Sequence, residues 1–160
     1  MKSYFFPFIT VFYVLLGCNN HKSNGIENSE ATIKVEDDSS TLILKAHLLY
    51  SNNKYQEALE YYTKLLEIDS THGKFYYRKA YCLVQLYRHS ESIKFYQKAS
   101  DLNYSKFDCY KSIGLTYTFA LKNDSLACVY FRMCLQLEPG NEEIIELMKA
   151  VDKSAKLNNL

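Results

Sequence analysis

The sequence predicts an all-α fold: an α-solenoid of three helix-turn-helix repeats closed by a C-terminal capping helix. Three observations carry this expectation. Ala46, Ala80 and Gly114 lie 34 residues apart. The same order of aliphatic, tyrosine and small residues returns around each of them. A helix pair of that length cannot bury its own apolar face, so copies at this period must stack, and the stack leaves a groove. Finally, Ile144, Ile145, Met148 and Val151 recur at helical spacing after Pro139-Gly140, with Glu142, Glu143 and Glu146 in the first turns, which reads as a cover for the last repeat.

In chain order, the first element is an apolar run from Tyr4 to Leu16, preceded by Lys2. It is shorter than the roughly 20 residues needed to span a bilayer and fits the apolar region of a secretory signal, so residues 1–17 are expected to be a signal peptide. Leu15-Leu16-Gly17-Cys18 sets a small residue directly before a cysteine and resembles the bacterial lipobox. That resemblance implies a lipoprotein in which Cys18 carries more than one acyl chain, palmitate among them, and becomes the first mature residue. Acyl burial contributes about 0.8 kcal/mol per methylene, so several chains hold a protein at the membrane in effect permanently. Asn19 stands where an aspartate retains some lipoproteins at the inner membrane, which favours a cell-envelope location at the outer membrane. Residues 18–40, rich in Asn, Ser, Glu, Asp and Lys, bury too little surface to offset ordering and read as a tether. A flexible chain of that length separates its ends by about 25 Å on average.

The repeats occupy about 41–71, 74–104 and 108–139, with the matched copies running Leu42 to Ser70, Tyr76 to Tyr104 and Tyr110 to Pro139. Leu42, Tyr76 and Tyr110 correspond in the first helices, as do Leu49, Leu83 and Tyr117. In the second helices Ala58, Ser92 and Ala127 correspond, followed four residues later by Tyr62, Tyr96 and Phe131. Small residues let antiparallel helices approach closely, and the aromatics are expected to wedge against the next pair. The third copy is one residue longer, an insertion the sequence assigns to the connection around Leu121 to Ser125. The capping helix is expected over 141–153, followed by a flexible tail, 154–160.

This pattern resembles the tetratricopeptide repeat family. Tyr55-Gln-Glu-Ala-Leu-Glu-Tyr-Tyr-Thr-Lys-Leu-Leu-Glu-Ile-Asp69 is similar to that family's second helix, and Leu135-Gln-Leu-Glu-Pro-Gly140 to its closing turn. The resemblance implies a right-handed superhelix. It departs at the turn proline, present only as Pro139, and at Leu65, where a small residue is usual.

In helix pairs stacked this way the first helices line the concave side. Counted from the small residue, positions −6, −3, +1 and +4 give Ser40, Ile43, His47 and Tyr50; Lys74, Tyr77, Tyr81 and Val84; and Asp108, Lys111, Leu115 and Thr118, with Phe119 beside them. The expected partner-binding residues are Ile43, His47, Tyr50, Lys74, Tyr77, Tyr81, Lys111, Leu115 and Phe119. Aromatic groups give contact area with little rotamer entropy to lose, and Lys74 and Lys111 could orient a carboxylate. The competing reading is that Tyr77 and Tyr81 only pack between helices. Some tetratricopeptide domains hold acidic chaperone tails through lysines and asparagines on these stripes. Here Ile43, His47, Tyr81 and Leu115 stand there, and Lys111 alone matches.

Composition narrows the function classes. The chain has 19 Lys and Arg against 18 Asp and Glu, and loss of residues 1–17 removes only Lys2, leaving 18 against 18. Without a basic stripe, nucleic acid is not an expected partner. Cys82, Cys109, Cys128 and Cys134 show no paired spacing, which speaks against a metal site, although an exported domain leaves a bridge involving Cys109 or Cys82 open. No catalytic motif is present. His21 falls in the tether, His72 and His89 in turns, and His47 in the groove. The expectation is a membrane-anchored scaffold, not an enzyme, binding a protein or peptide ligand without cofactor or small-molecule substrate. The alternative is a structural component of an envelope assembly or secretion complex acting by self-association or through its convex face.

Overall fold

The computed structural model describes residues 38–157, and side chains through Lys153. These residues lie within one compact unit, Val35–Leu160. The expected signal peptide, Cys18 and the tether up to residue 37 lie outside the described residues, as do positions 158–160.

The described chain is all-helical. Helices α1 (Ser39–Ser51) and α2 (Tyr55–Ile68) form the first pair, α3 (Gly73–Gln85) and α4 (His89–Asp101) the second, and α5 (Lys106–Leu115) and α6 (Asp124–Leu137) the third; α7 (Glu142–Leu157) follows. Each helix packs on its sequence neighbours, as a solenoid requires. Side-chain caps fix several starts. Asp38 accepts from the Thr41 amide, Asn123 from Leu126 and Asn141 from Ile144. At the start of α4, Arg88 instead forms two 2.8 Å hydrogen bonds to Glu91.

Ala46, Ala80 and Gly114, and Ala58, Ser92 and Ala127, are all buried where the paired helices meet. Tyr62, Tyr96 and Phe131 are buried too, and each packs both inside its own pair and against the next element. Phe131 presses on Gly114 and Tyr96 on Tyr77 inside their own pairs, while Tyr62 reaches forward to Phe75 of the next repeat, Tyr96 clusters with Cys109 and Ile113 of α5, and Phe131 with Ile144 and Val151 of α7. A Cβ on Gly114 would stand 2.5 Å from Phe131 Cε1, so the third repeat uses glycine where the first two use alanine. The following first helices supply the other side of this forward packing. Phe75 and Cys82 on α3, Cys109 and Thr116 in the third repeat, and Ile144 and Val151 on α7 occupy equivalent buried positions.

The insertion sits elsewhere than expected. A residue with positive φ ends the first-helix segment of every repeat: Asn53 (59°), Tyr87 (60°) and Lys122 (52°). Each lies five residues before its second-helix small residue, so the turn around Leu121 to Ser125 has ordinary length. The extra residue is absorbed earlier, in a π-helical turn, Thr116–Ala120, continuing α5. The hydroxyls of Thr116 and Thr118 donate to the carbonyls of Ser112 and Gly114 there, which stabilises the widened turn.

Helix α7 extends to Leu157, past Lys153 where the sequence reading ended it. Its Ile144 and Val151 join Ala127, Phe131 and Cys134 in one buried cluster. Among the described residues no helix is long and apolar enough to cross a membrane.

Candidate peptide-binding groove

The inner side is built by α1, α3 and α5, and three groups of side chains lie along it. At one end Ile43 and His47 of α1 and Lys74 of α3 line a cavity of about 430 Å³, closed by Leu102, Asn103 and Tyr104. Gly73 makes this wall possible, because a Cβ there would meet Tyr104 Cβ at 2.5 Å. At the other end Val84, Leu115 and Phe119 share a cavity of about 370 Å³ with His89. The π turn explains why Phe119 and not Thr118 takes part. Counted back three residues from the positive-φ turn residue, Tyr50, Val84 and Phe119 are equivalent.

Between the cavities lies an aromatic patch. The Tyr81 ring stands 5.3 Å from Tyr50 and 6.0 Å from Tyr55, and the Arg78 guanidinium lies 4.4 Å over the Tyr50 ring. Tyr77 is wedged against Tyr96 at 5.2 Å and Tyr104 at 5.7 Å. Both tyrosines are therefore half-buried packing groups that also present an edge to the groove. Burial raises the Tyr50 and Tyr77 phenols above their ordinary values, so both stay neutral. His47 is pushed the other way, first by burial and then by Lys74 and Arg78, which disfavour its charged form. Its Nε2 and the Tyr62 hydroxyl are buried without a hydrogen-bonding partner among the described residues.

Lys111 already has a partner within the chain. Its ammonium lies 3.1 Å from Glu143 and joins α5 to α7. Lys74 remains exposed at the rim of the first cavity. The sequence reading also missed Arg78, Tyr55 and Tyr104. Arg78 follows a stripe residue by one position, and its role is visible only once α1 sets Tyr50 against it. His89 was expected in a turn, but it is the first residue of α4 and half-buried.

The cysteines take no part in the groove. All four within the described residues are free and buried, and no metal-binding group forms among those residues. Burial pushes Cys82 and Cys109 up to about 12 and Cys134 to about 11, while burial and the nearby Asp152 raise Cys128. They remain protonated thiols at neutral pH, the form that is poorly nucleophilic.

Comparison with known proteins gives the same architecture. A family model described as anaphase-promoting complex, cyclosome, subunit 3 matches residues 19–99. Among solved structures, the first tetratricopeptide domain of Spaghetti (RPAP3) bound to the HSP90 peptide SRMEEVD is 24% identical, with 74% of this chain and 93% of that one covered and a TM-score of 0.65. The second such domain of human RPAP3, in complex with the HSP70 peptide SGPTIEEVD, is 22% identical over 71% and 94% of the two chains, with a TM-score of 0.63. The Arabidopsis OM64 tetratricopeptide domain is 21% identical over 72% and 95%, with a TM-score of 0.64. No curated protein sequence matches the chain.

Proposed function

We propose a function from one premise: the chain belongs to the anaphase-promoting complex, cyclosome, subunit 3 family, whose repeats are of the tetratricopeptide type. It is a protein-interaction adaptor, held at the cell envelope by acyl chains on Cys18, that takes an extended peptide or a helix of an envelope partner into the groove along α1, α3 and α5. The observation that carries the reading is the groove's lining. Two cavities, one with Ile43, His47 and Lys74 and the other with Val84, Leu115 and Phe119, flank the tyrosine patch around Tyr81. Pockets for alternate side chains on either side of an aromatic strip suit a peptide laid across the first helices. Peptide binding by RPAP3 domains of the same fold supports this mode of action. Their acidic peptides are not the ligand proposed here, because Lys111 is held by Glu143 and the neighbouring positions are Ile43, His47, Tyr81 and Leu115. The ligand is one with apolar and aromatic side chains and at most one acidic group, placed at Lys74.

Lys74→Glu and Leu115→Glu test the groove without removing a buried ring. Each is expected to remove a photocrosslinked partner peptide captured from the groove in cells, with the melting temperature as a folding control for Leu115→Glu because Leu115 is half-buried against the Phe131–Ile144 cluster. Capture at undiminished yield by both variants would reject groove binding. For the anchor, Cys18→Ser is expected to abolish incorporation of labelled palmitate and to release the protein from the outer-membrane fraction. Labelling that persists would defeat the lipidation assignment.

A further inference from the structure

The three second helices are internal controls for one another, and α6 breaks their pattern. At four equivalent positions α2 carries Glu57, Glu60, Lys64 and Ile68, and the second repeat carries Glu91, Lys94, Lys98 and Leu102. The third carries Leu126, Val129, Met133 and Leu137. Three charged positions have become apolar in this repeat alone. At 100° per residue the four side chains fall within about 80° of one another, on the side of α6 facing away from buried Ala127, Phe131 and Cys134. Leu126, Val129 and Leu137 are 39%, 43% and 47% exposed. The capping chemistry permits the change. Glu57 and Glu91 pair with Lys54 and Arg88 at the starts of their helices, whereas Asn123 caps the Leu126 amide through its own side chain and needs no acidic partner at that position.

We propose that this stripe is a homodimer surface, on which α6 of a second copy of this chain packs antiparallel across a twofold axis. Charge placement selects both the occupant and the direction. A twofold interface sets a surface against itself, so its centre must be uncharged, and here it is. Exposed Lys122 lies just before α6 and exposed Glu138 just after it. In the antiparallel register that sets Leu126 against Leu137 and Val129 against Met133, Lys122 of each copy comes beside Glu138 of the other, whereas a parallel pair would bring like charges together. Spacings of three and four residues are those of a coiled-coil seam. Four half-exposed side chains per copy make a small interface, so the dimer is weak and concentration-dependent. It uses the outer side and leaves the groove open, so it stands or falls apart from the proposed peptide binding.

The test places a photoreactive residue at Val129 of the full chain in its membrane. A cross-linked product of twice the chain mass, with the adduct mapped to α6 residues near Met133 of the second copy, is expected. Val129→Lys together with Met133→Lys gives α6 the two lysines that the second repeat carries at Lys94 and Lys98, sets like charges against each other across the twofold axis, and is expected to lower self-association about tenfold or more, with the melting temperature held as a folding control. Glu138→Lys should weaken the product and Lys122→Glu in addition should restore it. A product of single-chain mass only, or an adduct solely to a different protein, overturns the proposal. A Glu138→Lys variant that dimerises as the parent does overturns the antiparallel register.

Discussion

Gly114 and Tyr87 are the residues at which the repeat consensus and local physics collide. Gly114→Ala must push a Cβ into the Phe131 ring at 2.5 Å, and a ring with no exposed surface has little room to yield. The expected loss is about 1–3 kcal/mol of unfolding free energy in urea, the usual cost of overpacking a tight core. Adding Phe131→Leu should recover part of it. Tyr87 has a φ of 60° and is 85% exposed, while the equivalent turn residue in the first repeat is Asn53. Asparagine tolerates this conformation better than tyrosine, so Tyr87→Asn is expected to stabilise by about 0.5–1 kcal/mol, read as a raised melting temperature. His47 gives a pH signature. Its folded value lies below the ordinary imidazole value, so the unfolded chain binds the proton more readily and protonation pulls toward unfolding. This contribution is full above about pH 6.5 and is lost as pH falls through the folded value. His47→Gln should flatten the fall in melting temperature between neutral and mildly acidic pH. A slope unchanged from the parent would mean that His47 is not the titrating group.

Among the elements, α5 with its π turn and α7 carry what the sequence only half disclosed. The extra residue was legible as a spacing of 13 in place of 12 between Gly114 and Ala127. Its location was not, because threonine hydroxyls bonding back to Ser112 and Gly114 decide it, and such bonds leave no mark on apolar periodicity. The helix pairs themselves were legible from spacing alone, since each small residue must face its partner helix. Helix α7 covers Ala127, Phe131 and Cys134 with Ile144 and Val151, and the Lys111–Glu143 pair adds to this across 32 residues of sequence. Ending the chain at Gly140 is therefore expected to abolish cooperative unfolding of the third repeat, seen as rapid hydrogen exchange in α5 and α6. Glu143→Gln alone should cost no more than about 1 kcal/mol, because that carboxylate is largely in water. Equal effects of the two changes would mean that α7 is held by charge and not by its apolar stripe.

At the scale of the whole molecule, a solenoid offers two long sides, and this chain treats them differently. The inner side concentrates tyrosines and two cavities; the outer side is charged over α2 and α4 and apolar over α6. The inner stripe could be named from the sequence because 34-residue periodicity fixes which positions of each first helix point inward. What could not be read was side-chain pairing across repeats: Lys111 satisfied by Glu143, Tyr81 set between Tyr50 and Tyr55, and Arg78 over Tyr50. Those contacts depend on how far one repeat is rotated against the next, a quantity set by packing and not by residue type. They also divide the candidate site into a half-buried aromatic floor and exposed rims at Lys74 and Phe119. The most direct measurement is a set of in-cell photocrosslinks from probes at Lys74, at Phe119 and, as an outer-face control, at Lys94. The account expects the two groove probes to label one contiguous segment of the same partner protein, the Lys94 probe to leave that segment unlabelled, and Leu115→Glu to remove the groove adducts. Labelling of that segment from Lys94 as strongly as from Phe119, or no adduct from either groove probe, would contradict it.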